Sequence, residues 1–202
     1  LLENFTDETN KFSNERVAEL ELIAAYIEFL ESDEEIIRFL GQQREKMPFF
    51  ASLGFITAEG EVLAGDGTRF PVNQIESFES ALQGEKAFSD LFPYFQDSTQ
   101  LVTAIRIPVI KNNQTIGVLS GVVNMGNILG ALSKESNLPG TLFLLKENQL
   151  VFSTSDSELE KIGPQATSVL EEIQQNKQGS ILIDENTAHY VMYQRTSGDW
   201  TV

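Results

Sequence analysis

The 202 residues carry 30 acidic and 14 basic side chains, a formal net charge of −16, and no cysteine. Such an acidic balance argues against nucleic acid and anionic lipid as partners, since both are bound by clustered Lys and Arg. The missing thiol removes disulfides and cysteine chemistry. No apolar run approaches the ~20 residues of a membrane helix.

Residues 5–30 predict one long helix, because Val17, Leu20, Ala24 and Ile27 recur at three- and four-residue spacing with glutamates between them. That stripe can pack on its own domain or form a dimer seam, and two faces of one helix can do both. Ser32-Asp33-Glu34-Glu35 is a capping box: Ser32 accepts from the backbone and Glu35 reaches back. These consecutive acidic side chains lack calcium-loop spacing, so capping is preferred to metal. The second helix stops at Pro48.

Residues 53–57 and 61–64 read as two strands around Glu59-Gly60. Asp66-Gly67 breaks the second, and 72–82 reads as a helix with Ile75, Phe78 and Leu82 as its stripe, ending at Gly84. An aromatic loop over 87–99 then leads into a long hairpin. Its arms, LVTAIRIPVI and TIGVLSGVVNM, flank Asn112-Asn113, a pair that tolerates the positive φ of a tight turn. Arms so apolar belong in the middle of a sheet covered on both faces.

Pairing Ile110 with Thr115 sets a register and divides the hairpin into two faces. One carries Val102, Ala104, Arg106 and Pro108 opposite Gly117, Leu119, Gly121 and Val123; its small residues suit the long acidic helix lying across it. The other carries Leu101, Thr103, Ile105, Ile107 and Val109 opposite Ile116, Val118, Ser120, Val122 and Asn124, an apolar lining with a few short polar groups that suits a small-molecule pocket. Arg106 could fork onto a carboxylate ligand, but this register turns it toward the helix, where a glutamate is the expected partner.

After a short helix over 127–132 and a polar linker over 133–140, a smaller cycle follows. It has strands over 141–146 and 149–153, and a helix beyond Gly163-Pro164 with Ala166, Val169, Leu170 and Ile173 as its stripe. Strands over 180–183 and 188–195 come next, and a last strand starts at Trp200. Hairpin, helix, hairpin thus occurs twice. The lone histidine, His189, falls on a strand, where a surface role is the simplest reading. There is no phosphate loop, nucleophile elbow or paired catalytic carboxylate, so no enzyme activity, cofactor or metal is expected.

A helix feeding two antiparallel-sheet modules resembles the double Cache (tandem PAS-like) sensor domain of bacterial transmembrane receptors. Gly54-Phe55-Ile56-Thr57-Ala58-Glu59-Gly60-Glu61-Val62 resembles its first hairpin. Ala81-Leu82-Gln83-Gly84 through Pro93-Tyr94, with residues 103–109 and Ile116-Gly117-Val118-Leu119, resembles its pocket-forming half. Gly198-Asp199-Trp200-Thr201-Val202 resembles the last strand of its membrane-proximal module.

The resemblance implies an α+β fold: an N-terminal helical stalk over 1–47, a membrane-distal Cache module over 48–133 and a smaller membrane-proximal one over 138–202. It implies an extracytoplasmic domain of the cell membrane, held by flanking membrane helices that lie outside this sequence and dimeric along the N-terminal helix. Such a domain binds a small molecule in the distal module and signals to a histidine kinase, chemoreceptor or diguanylate cyclase output. The alternative is a structural, dimerising ectodomain without a ligand.

The amino-acid-binding members have an arginine, tryptophan and tyrosine cluster before the pocket and an aspartate in the last strand of its hairpin. Here Tyr94 matches the tyrosine, with Asp97 close behind, but Trp200 is the only tryptophan and Val122 stands at the aspartate's position. An α-ammonium would then be buried unpaired, so a hydroxylated or weakly polar ligand is expected instead. The match at Val122 selects the pocket face: Thr103, Ile105, Ser120, Val122 and Asn124, lidded by Phe88, Phe92, Tyr94 and Asp97 from the loop and Phe78 from the preceding helix.

Overall fold

The structure, a computed structural model, describes residues 2–90, 92–124, 143–146, 149–153, 171, 175–176, 178–184, 189–194 and 200–201. The chain forms two compact units, residues 14–124 and residues 1–13 with 125–202. Helix α1 (Leu2–Ile27) starts in the second of these and continues into the first.

Most of α1 and all of α2 (Asp33–Lys46) belong to the first unit. The expected stripe is its core, with Leu20, Ala24 and Ile27 buried and Ile23 added to them. Arg16 is buried as well; its guanidinium lies 4.6 Å from the centre of the Phe49 ring and 2.9 Å from Glu19. The cap forms at α2, with Glu35 reaching one residue further back than the Ser32 backbone: Glu35 N donates to Ser32 Oγ at 3.3 Å, and Glu35 Oε2 accepts from Glu31 N at 3.0 Å.

The unit's seven-stranded antiparallel sheet runs β3-β2-β1-β7-β6-β4, with β5 also paired to β6. The strands are β1 (Phe50–Thr57), β2 (Glu61–Ala64), β3 (Arg69–Pro71), β4 (Ala87–Phe88), β5 (Phe92–Tyr94), β6 (Asp97–Lys111) and β7 (Gln114–Val123). The long hairpin β6–β7 is central, as its composition requires. Its turn has φ of 52° at Asn112 and 61° at Asn113, the double positive φ of a two-residue loop.

Helix α3 (Ile75–Leu82) is shorter than expected, and the three-residue β3 precedes it. Gln74, the residue before α3, has left-handed backbone angles (φ 54°, ψ 60°) and blocks any extension of the helix toward Val72.

The register departs from expectation at one residue. Ile110 faces Thr115 as expected, but the next pair is Val109 with Gly117, which leaves Ile116 as a bulge. Beyond it every β7 side chain changes partner: Arg106 pairs with Ser120, Ala104 with Val122, and Ile105 with Gly121. Gly121 therefore shares its face with Thr103, Ile105 and Ile107, and α1 closes against that face. A Cβ at Gly121 would lie 2.9 Å from both Leu20 Cδ atoms and 2.7 Å from Phe50 Cε1.

In the second unit, β8 (Phe143–Lys146) pairs with β9 (Gln149–Ser153) and with β12 (Trp200–Thr201), while β10 (Gln178–Asp184) pairs with β11 (His189–Gln194). The helix expected over 127–132 lies outside the described residues, as does most of the one beyond Pro164, of which Glu171 and Gln175 are described and helical.

Candidate functional site

The bulge at Ile116 decides what the second face of the hairpin holds. Ser52, Gly54 and Ile56 of β1, Val62 and Ala64 of β2, and Val118, Ser120 and Val122 of β7 line up there with Val102, Ala104 and Arg106 of β6. Gly54 and Ser120 leave this floor low in the middle, and a cavity of about 50 Å³ lies over it. Phe92, Phe95, Phe70, Val72 and Asn73 complete its walls. The Phe70 and Phe95 rings pack at 5.4 Å.

Among the described residues, Arg106 is the only charged one on this wall, and it is 2% exposed. Its Nη1 donates to Gln74 O and its Nη2 to Asn73 O, both at 2.8 Å, so it fastens the loop that starts α3. Nε is buried without an acceptor, and no carboxylate reaches Arg106 among the described residues. Burial lowers the guanidinium pKa to about 10, so it remains charged at neutral pH. The expected pairing of Arg106 with a helix glutamate is therefore corrected: the bulge carries it to the cavity face, onto backbone carbonyls.

Of the residues singled out by sequence, Phe92, Ser120 and Val122 line the cavity. Phe78 sits beside it, in the cluster of Ile56, Val62, Ala81 and Val118. Tyr94 packs with Phe92, Val102, Ala104 and Val122; its hydroxyl lies 3.1 Å from Ala51 O and from Gln96 Oε1. The Ala51 carbonyl is exposed to these donors by a second irregularity, between Phe50 and Ser52, and also accepts from Arg44 Nε at 3.0 Å. Burial raises the Tyr94 pKa above the ordinary tyrosine value.

Thr103 and Ile105 are corrected to the opposite face by the shifted register. Thr103 is occupied there, donating to Ser89 O at 2.8 Å, and Phe88 pairs with Ile105 through β4. Asn124 and Asp97 both bond to Gln100 and are not on the cavity wall. Ser52, Gly54, Phe70 and Phe95 are among the wall residues absent from the sequence-derived site, and Arg106 was assigned there to the opposite face. Phe70 is the central residue of the three-residue β3, and Phe95 belongs to the aromatic loop over 87–99.

No family model and no curated protein matches the sequence. Solved structures do match it. The sensory domain of the Campylobacter jejuni chemoreceptor Tlp3 with isoleucine bound superposes with a TM-score of 0.72 at 17% identity, covering 99% of this chain and 86% of that one. The chain has the double Cache fold. The extracellular domain of the putative histidine kinase rpHK1S-Z16 shares this double Cache architecture, with a TM-score of 0.74 at 11% identity over 98% of this chain and 88% of that one. So does the ligand-binding domain of the Pseudomonas aeruginosa amino-acid chemoreceptor PctC in complex with GABA, at 0.65 and 15% over 99% and 94%. The expected helix-plus-two-modules arrangement is thereby borne out at the level of fold.

Proposed function

We propose that this chain is the extracytoplasmic ligand-sensing domain of a membrane signal-transduction receptor, without catalytic activity of its own. It binds a small molecule in the cavity of the first unit and passes the signal to a cytoplasmic histidine kinase, chemoreceptor or diguanylate cyclase. The membrane-distal module is assigned to 48–133, with α1 and α2 packed on it, and the membrane-proximal module to 138–202. The observation that carries this reading is the cavity: an apolar chamber walled by aromatic rings, with one buried cation, has the lining of a small-ligand site. The fold supports it, since matching domains were solved with isoleucine and with GABA.

Phe92, Ser120 and Val122, together with Arg106, Phe70 and Phe95, are the proposed ligand contacts. Homodimerisation along α1 completes the reading. It is supported by Leu22 (75% exposed), which stands away from the buried stripe of the helix, and by Phe29 (71% exposed) in the turn just beyond its end. Among the described residues no helix is long and apolar enough to cross a membrane, and membrane attachment is assigned to flanking helices.

A thermal-shift screen of carboxylates, amino acids, amines, purines and sugars tests the reading. A compound at 100 times its Kd stabilises the folded state by about 2.7 kcal/mol, and Ser120→Leu, which fills the floor of the cavity, abolishes the shift. No stabilising compound, or shifts indifferent to Ser120→Leu, would overturn it.

A further inference from the structure

We propose that the cavity takes a small monocarboxylate and that the Arg106 guanidinium is the group that holds it. The inference deepens the ligand-sensing reading and rests on it. Arg106 is a cation taken almost wholly out of water, yet the two acceptors it bonds, Asn73 O and Gln74 O, are neutral carbonyl oxygens. A buried charge without a counter-charge is costly, and an anion that reached it would relieve that cost. Nε has no acceptor, and each Nη retains an N–H beyond the one it spends on the loop. A carboxylate meets such a group two-pronged, through parallel N–H donors.

Ser120 is the direct cross-strand partner of Arg106 on the same face, so its hydroxyl stands within one side chain's reach of the guanidinium. The remaining wall is apolar. A cavity of about 50 Å³ holds about three to five water-sized groups, which is the size of a two- or three-carbon acid. Among the described residues the wall carries no Asp or Glu, so nothing there matches an ammonium, and one cation matches a single negative charge.

The test uses the 202-residue chain and matched compounds: acetate, propionate and butyrate, against propionamide, propylamine and alanine. Calorimetry is expected to show binding of at least one acid, at least tenfold weaker binding of alanine, and none of the amide or the amine. Arg106→Lys keeps the charge but loses the planar fork, and is expected to weaken the acid at least tenfold; Ser120→Leu abolishes binding. In the wild type, the Arg106 Nε–H resonance shifts as the acid is titrated, with the same Kd. That measurement decides the matter if Arg106→Lys does not fold.

Binding of alanine or the amine in place of the acids, lost in Ser120→Leu, overturns the carboxylate assignment and leaves ligand sensing standing. Acid binding that Arg106→Lys does not weaken, with an unmoved Nε resonance, also overturns it. No binding by any of these compounds or by the wider screen overturns both.

Discussion

Gly121→Ala tests the register on which the site depends. Gly121 sits where α1 touches the sheet, and an added methyl would lie 2.7–2.9 Å from Phe50 Cε1 and both Leu20 Cδ atoms. Overpacking of this kind costs about 1–3 kcal/mol. Removing the freedom of glycine in the unfolded chain returns about 0.4–1 kcal/mol. A net loss of about 1.3 kcal/mol, within a range of about 0–2.6 kcal/mol, is expected. Leu20→Ala alone, which empties a fully buried site, should cost about 2–5 kcal/mol. In the double variant the clashing Cδ atoms are gone, so the two losses should fall short of additivity by about 1–2 kcal/mol. Gly54→Ala is the control on the cavity face, where the nearest atom to a new Cβ is Val62 Cγ1 at 3.2 Å, and it should cost less than Gly121→Ala. Urea unfolding with unchanged m values, combined with hydrogen exchange of β7 amides, reports the opening of this unit. Additive losses, or a costlier Gly54→Ala, would refute the assignment of the two faces.

Three further outcomes are expected. Ser32→Ala removes the acceptor for Glu35 N and should destabilise the first unit by about 0.5–2 kcal/mol in thermal unfolding followed by circular dichroism. The Asp66 carboxyl, held below its ordinary value chiefly by the Thr68 hydroxyl at 2.6 Å, should titrate below pH 3.8 by carbon NMR and move upward in Thr68→Ala. Its stabilising contribution is complete above pH 3.8 and is lost as pH falls through the lowered folded value. Tyr94, whose pKa burial raises, should ionise above pH 10, with an absorbance step missing in Tyr94→Phe. Its contribution is complete below pH 10 and is lost as pH rises through the raised value.

Much of the fold was legible because it obeys local rules. The Leu20, Ala24 and Ile27 stripe marked the buried side of α1, Asn112-Asn113 marked the hairpin turn, and Ser32 with Glu35 marked the start of α2. The site was less legible because both faces of β6 and β7 are buried. With Ala104 and Ile105 equally enclosed, alternation gives no inside and outside to check a register against. One extra residue at Ile116 was enough to exchange the surroundings of Arg106 and Thr103. The β3 strand escaped because it is three residues long and ends in Pro71, and the start of α3 because an arginine 32 residues away occupies the Gln74 carbonyl.

The most direct test of the account is a crystal structure of the chain grown with the most strongly stabilising small acid. Density for the acid between Arg106 and Ser120, beneath Phe92, is the result the account requires. Density for it elsewhere on the molecule, with the cavity filled by the protein's own side chains, would contradict it.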